Sequence, residues 1–182
     1  MYMTKFWNHN ENLIYSLNGS YPLQSPGIGA TADQLILHDG DFVDVAMFSN
    51  TLFYTDNESG MHYFSTDGAN PQRAFTITYD TDLTLTYLLA HTAMMGDYVT
   101  KFTPVKSQTT VYYGTSINGS DTKTVTTDEN GVLTLNFSET GTYYLWTQGA
   151  KDARGKAVIS APGCATITVT LTQEEINANM VK

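Results

Sequence analysis

Ala165-Thr166-Ile167-Thr168-Val169-Thr170-Leu171 is the stretch on which the fold turns. Threonine takes every second position and Ala, Ile, Val and Leu take the others, the period of two that belongs to a half-buried antiparallel strand. Val132-Leu133-Thr134-Leu135-Asn136-Phe137 repeats the pattern, with Leu133, Leu135 and Phe137 sharing a face. Working outward, segments 12–17, 34–37, 42–48, 74–79, 83–89, 109–113, 122–127, 142–148 and 157–160 are rich in Thr, Val, Ile, Tyr and Phe and read as further strands. Asn18-Gly19, Asn118-Gly119, Asp128-Glu129-Asn130-Gly131, Glu139-Thr140-Gly141 and Pro162-Gly163 fall between strands. Such pairs tolerate the positive φ that hairpin turns require. Strands at this spacing, without long helical periods, predict a mostly all-β chain built around a sandwich. One helix is expected near the C-terminus, where Thr172-Gln173-Glu174-Glu175 has capping-box spacing.

The 182 residues suffice for one large or two small domains, and 41% hydrophobic content can supply a core. No apolar run approaches membrane-spanning length; the most apolar, Leu83 to Met95, is interrupted by Thr84, Thr86, Tyr87, His91 and Thr92. Met1 to Asn8 has neither a basic start nor an apolar stretch of signal-peptide type. Yet Thr, Tyr, Asn, Gly and Ser are abundant and charged residues make up only 15%, an exported composition. The expectation is a piece of a longer secreted chain. A net charge of −9 repels phosphate, which argues against nucleic acid and anionic lipid surfaces as partners. Cys164 is the only cysteine, so no internal disulfide and no cysteine-based zinc site can form. Exported chains without disulfides fit a Gram-positive surface better than a eukaryotic extracellular space.

Ile14-Tyr15-Ser16-Leu17-Asn18-Gly19, then Pro22, Gly27 and Gly29, Leu35-Ile36-Leu37, and Asp39-Gly40-Asp41-Phe42-Val43 stand in that order near the start. Together they resemble the transcobalamin-like C-terminal domain repeated in Gram-positive surface proteins. That resemblance implies a partial β-grasp-like module over 1–57. Leu13 stands where the family usually has Trp, and the family's preceding strands and helix are missing. Relatives in vertebrates help to enclose cobalamin, but no cobalamin-contacting position maps onto this chain. A linker is expected over 58–73, with the module boundary between Phe53 and Ala74. Pro104-Val105, Val111-Tyr112-Tyr113-Gly114, Thr127 to Gly131, Leu133-Thr134-Leu135, Gly141 to Leu145 and Ala165 to Val169 resemble an immunoglobulin-like or prealbumin-like repeat of bacterial surface proteins. This implies an Ig-like antiparallel β-sandwich over 74–172, followed by a linker or helix start over 173–182.

Candidate chemistry is sparse. Asp39 and Asp41, with Asp44, would offer carboxylate oxygens to Ca²⁺, and Asp80 and Asp82 form a second acidic pair near Asp128 and Glu129. A turn-forming role weighs more heavily at both places. His9, His38, His62 and His91 have no zinc spacing. No Gly-x-Ser-x-Gly and no other nucleophile motif occurs, so no catalytic residue is expected. Cys164 reads as a buried small hydrophobe and Trp146 as core, although Trp7, Trp146 and the tyrosines would also suit a carbohydrate platform. An isopeptide cross-link from Lys101, Lys106 or Lys123 to Asn136 lacks a Glu inside a strand. The expected function is therefore a non-catalytic adhesion or spacer element of a secreted or wall-attached protein, with a host or cell-wall glycan or protein as partner. The alternatives are an accessory domain of a larger hydrolase, or a corrinoid- or glycan-binding module with a pocket lined by Tyr15, Tyr21, Phe42 and Phe48. Recognition is expected on the loop Tyr21 to Asp33.

Overall fold

The computed structural model describes residues 12–48, 60–92, 97–148 and 160–180. The fold is all-β, with several antiparallel sheets and one short helix. The main body is two facing sheets. One runs β10 (Lys123–Thr126), β9 (Thr110–Gly114), β12 (Gly141–Thr147), β14 (Cys164–Thr170), β6 (Ala74–Thr78). The other runs β11 (Val132–Leu135), β7 (Leu83–Thr92), β5 (Gly60–Ser65), β13 (Ser160–Ala161), with β8 (Thr100–Pro104) pairing the far end of β7. β5 pairs antiparallel with β7, and the chain then crosses to the opposite sheet, where β6 runs parallel to β14. The two sheets together make a β-sandwich.

The alternation read from the sequence sets the inner faces. Ala165, Ile167 and Val169 of β14 meet Leu83, Leu85 and Tyr87 of β7, Leu133 and Leu135 of β11, and Leu145 of β12 in one buried cluster. The turns carry their expected chemistry. Asn18 (φ 52°) and Gly19 (φ 78°) are both left-handed, as a two-residue type I′ turn demands, and Leu17 and Ser20 exchange backbone hydrogen bonds of 2.9 and 3.0 Å across it. The expected helix is α1 (Gln173–Met180), with the box in place: Glu175 N–H donates to Thr172 Oγ1 (3.3 Å) and Thr172 N–H to Glu175 Oε2 (3.0 Å).

Ahead of the sandwich, β1 (Asn12–Leu17) pairs antiparallel with β4 (Val43–Phe48), Tyr15 opposite Val45 and Ser16 opposite Asp44. Between them lie a small hairpin, β2 (Leu23–Ser25) with β3 (Ile28–Gly29), and a 3-10 turn at Ala32–Gln34. Residues 12–48 thus form a two-stranded ribbon with a folded loop.

Two readings need correction. Residues 34–37 are not a strand: Gln34 closes the 3-10 turn, and Ile36 and Leu37 are 75% and 58% exposed. The stretch 58–73 is not simply a linker, because Gly60–Ser65 is β5, buried at all six positions. Phe64 points into the main cluster while Met61 and Tyr63 point outward beneath the ribbon. A strand covered on both faces shows no alternation, and Gly-Met-His-Tyr-Phe-Ser carries none. β8 also went unpredicted, and of 157–160 only Ser160 lies within the described residues.

Candidate functional site

A connected polar arrangement sits where the ribbon meets β5. The outward face of β7 begins as Thr84 and Thr86 but turns apolar at Leu88 and Ala90, and there the ribbon lies. Ile14, Met61, Tyr63 and Ala90 form a second buried cluster, flanked by Tyr21, Phe42, Ala46 and Phe102. Gly19 fits against this surface because it lacks a side chain: a Cβ there would fall 2.7 Å from Pro71 Cγ and 3.2 Å from Phe102.

Arg73, just before β6, ties the parts together. Its Nη2 lies 2.6 Å from Asp44 Oδ1 on the ribbon, with both side chains about one-fifth exposed. Its Nη1 donates to the Cys164 carbonyl on β14 at 2.6 Å and lies 3.3 Å from Cys164 Sγ. The guanidinium carbon stands 4.5 Å over the Tyr63 ring and 5.8 Å from that of Phe42. Tyr63 donates its hydroxyl to Asp44 Oδ2 (2.9 Å) and lies 2.9 Å from Ser16 Oγ. One arginine therefore joins ribbon, β5 and β14.

The electrostatics follow from this geometry. Burial pushes the Tyr63 phenol up, Asp44's charge pushes it further, and the Ser16 hydrogen bond only partly opposes them. Burial works to lower the Arg73 guanidinium, but the hydrogen bond and charge of Asp44 outweigh it and raise the group above its ordinary value. A phenol held protonated is no base at neutral pH, and Ser16 faces that phenol rather than an imidazole or carboxylate. The arrangement suits a clamp.

The four aromatic residues expected to line a pocket divide. Tyr15 and Tyr21 line a cavity of about 10 Å³ with Ile14, Ser16, Gly19, Met61, Ala90 and Thr92. That is room for about one water, whereas organic ligands occupy several hundred Å³. Tyr15 donates its hydroxyl to the Ala30 carbonyl. Tyr21 stacks on Tyr98 at 5.8 Å, and its N–H donates to Thr100 Oγ1 at 2.8 Å. Phe42 instead packs beside Tyr63, ring centres 6.0 Å apart. Phe48 closes β4, but its side chain, like Trp7 and His9, lies outside the described residues.

The acidic candidates are drawn into turns. Asp41 accepts from Asn18 Nδ2 at 2.6 Å and from His38 N–H at 2.7 Å, while Phe42 N–H donates to Asn18 Oδ1 at 3.0 Å. The Asn18-Gly19 and Asp39-Gly40-Asp41 turns thus clasp one another, and the Asn18 and His38 hydrogen bonds hold the Asp41 carboxyl below its ordinary value. Asp82 accepts from Asn136 Nδ2 at 2.9 Å, which engages the asparagine considered for a cross-link. Asp80 sits in a left-handed turn (φ 52°) with its N–H on the Phe137 carbonyl. Among the described residues no three His, Cys, Asp or Glu side chains converge as metal ligands.

Two further expectations shift. Cys164 is exposed, not buried, because it opens β14 on the outward face opposite Trp146. Trp146 is 6% exposed but lies on the side of β12 away from Leu145, stacked on Tyr112 at 5.9 Å. The clamp residues Ser16, Asp44, Tyr63 and Arg73 were not singled out from the sequence as a set. The signal available was the change from threonine to apolar residues along the outer face of β7. No family model, curated protein or solved structure matches the chain. No helix among the described residues is long and apolar enough to cross a membrane.

Proposed function

We propose that this chain is a non-catalytic module of a bacterial secreted or cell-wall-attached protein, acting as a spacer and adhesion element. The observation that carries the reading is the clamp: Arg73, Asp44, Tyr63 and Ser16 fix the ribbon on the sandwich, so the loop 21–33 is carried at a set orientation. A spacer transmits position and a recognition loop needs a rigid support. The exported composition agrees with this. We further read residues 12–48 as related to the transcobalamin-like C-terminal domain. In support, the two turns of that resemblance hold each other through Asn18 and Asp41. The sandwich we read as an Ig-like surface repeat, supported by its pairing order.

The test is location. Antibodies against this chain, applied to intact cells that express its full-length parent, should label the surface, and protease treatment of those cells should remove the label. Labelling only after lysis would overturn the proposal.

A further inference from the structure

Asparagine followed by glycine is the pair in which a side-chain amide can react with its own backbone, because glycine has no Cβ to block the approach of its nitrogen to the asparagine Cγ. The chain holds three such pairs, Asn18-Gly19, Asn118-Gly119 and Asn130-Gly131. All three stand in turns, but the turns hold them differently.

Ring closure has two requirements: the side-chain amide must be free to swing, and the next N–H must be released from its acceptor. Asn18 fails the first. Its Nδ2 donates to Asp41 Oδ1 at 2.6 Å, its Oδ1 accepts from Phe42 N–H at 3.0 Å, and Gly19 is buried against Pro71 and Phe102. Asn130-Gly131 fails the second. Buried Gly131 donates its N–H to the Asp128 carbonyl at 3.0 Å and accepts from Tyr87 N–H at 2.8 Å. Asp128 Oδ1 further holds the N–H groups of Asn130 and Val132, each at 2.8 Å. Asn118, by contrast, is exposed, and its side chain takes no hydrogen bond among the described residues. Gly119 N–H rests only on the Ser116 carbonyl at 3.2 Å, the long end of the range for an amide. Asn118 (φ 58°) and Asn18 (φ 52°) are both left-handed, a costly conformation for an L residue, but only Asn18 has side-chain bonds that keep it there.

We infer that Asn118-Gly119 is a self-modification site, at which the turn between β9 and β10 rearranges to an aspartyl or isoaspartyl link without an enzyme. The Gly119 nitrogen attacks Asn118 Cγ: the N–Cγ bond forms, the Cγ–Nδ2 bond breaks, the amide proton passes to solvent and Nδ2 leaves as ammonia, closing a cyclic imide. Water then opens the ring. Cleavage at the side-chain carbonyl leaves an aspartyl residue; cleavage at the backbone carbonyl leaves an isoaspartyl residue, with the main chain running through the former side chain. No electrons are exchanged, and water is the co-reactant. Both products add a carboxylate where Asp121 already stands beside Gly119, and the second also adds a carbon to the backbone. The turn is closed by Thr115 N–H on Asp121 Oδ2 (2.6 Å) and Thr122 Oγ1 on the Gly119 carbonyl (2.7 Å), and turn geometry sets the register of a hairpin. β10 lies at the edge of its sheet, so it is the strand released. The site does not depend on the spacer reading, since the clamp bonds β14 and this turn joins β9 to β10.

The purified, folded chain is held in mildly alkaline buffer, sampled over time, digested at acid pH and mapped by mass spectrometry with fragmentation that separates aspartyl from isoaspartyl. Amide loss at residue 118 should run at least about tenfold ahead of residues 18 and 130, the factor for one additional hydrogen bond that must break before reaction. In urea the three pairs should react at similar rates, because the fold and not the dipeptide sets the order. Hydrogen exchange on the aged chain should show β10 amides losing protection while β7 and β14 keep theirs. Faster loss at residue 18 or 130, equal rates at all three in the folded chain, or an order that persists in urea would overturn the site. An aged chain whose β10 stays protected would overturn the release of the edge strand.

Discussion

In the sandwich, thirteen buried apolar side chains from both sheets, among the described residues, meet in one cluster; beneath the ribbon only Ile14, Met61, Tyr63 and Ala90 do. The ribbon compensates with directional contacts: the Arg73–Asp44 pair, the Tyr63 hydrogen bonds to Asp44 and Ser16, and the guanidinium over the Tyr63 ring. Apolar burial supplies most of the free energy of folding but specifies orientation weakly, because it scales with area. Charged and hydrogen-bonded contacts add less net stability, but they are lost when geometry slips, so they orient. The sandwich is thus held by quantity and the ribbon by direction.

The largest effect should come from the residue that serves the sandwich core from the strand shared with the ribbon. Phe64 is fully buried on β5, whose other face carries Tyr63. Phe64→Ala should cost about 3–5 kcal/mol, read in urea as a lower midpoint at unchanged slope. Ribbon and sandwich signals should fall together. If the ribbon melted first while the sandwich kept its midpoint, β5 would not be the common support.

Two buried tyrosines, one in each region, extend the comparison to alkaline pH. Burial pushes Tyr87 up to about 12, with its hydrogen bond to Thr147 (2.9 Å) acting the other way, while Tyr63 is raised further by burial and Asp44. A phenol whose folded value exceeds its unfolded value of about 10 stabilises the fold fully below pH 10 and loses that contribution as pH rises through the folded value. For Tyr87 this amounts to on the order of 3 kcal/mol. Stability should decline from pH 10 upward, and absorbance titration should show two phenols ionising only with unfolding. Tyr87→Phe should flatten the decline, and an unaltered slope would contradict the assignment.

Breaking the clamp should separate the regions. Arg73→Met leaves Asp44 partly buried without its cation, at a cost of roughly 2 kcal/mol, below the 3–5 of a fully buried pair because both side chains keep some solvent. Hydrogen exchange should show β1 and β4 amides losing protection while β7, β12 and β14 keep theirs. Equal loss in both regions would mean that the clamp supports the sandwich itself.

The same division decides what could be read in advance. Strands with one wet face announce themselves: β11 and β14 alternate, and they stand where the alternation placed them. β5 is covered on both sides and does not, so it fell into an expected linker. The ribbon strands were legible from their turns, Asn18-Gly19 and Asp39-Gly40-Asp41, yet the clasp between Asn18 and Asp41 spans 23 residues and leaves no periodic trace. The clamp was hidden for the same reason. Ser16, Asp44, Tyr63 and Arg73 come from four separated segments, and each alone is an ordinary strand or turn residue. Of the four aromatic residues expected around a pocket, Tyr15 and Tyr21 line a cavity of only about 10 Å³, while Phe42 packs beside Tyr63.

The smallest effect is at acid pH, and it too distinguishes the regions. Asp41 in the ribbon is held below its ordinary value by Asn18 and then by His38 N–H. Asp67, in the loop after β5, is held much lower by the Asn70 N–H, its side-chain amide and the Ser65 hydroxyl. A carboxyl with a depressed folded value contributes fully above the unfolded value near 4 and loses that contribution as pH falls through the folded one. The ribbon clasp should therefore open at a higher pH than the loop at Asp67. In a titration from pH 6 to pH 2 followed by amide chemical shifts, Phe42 and His38 should move before Ala69 and Asn70. Asp41→Asn should abolish the earlier step and leave the later one in place. A reversed order would place the more weakly anchored turn in the sandwich rather than in the ribbon.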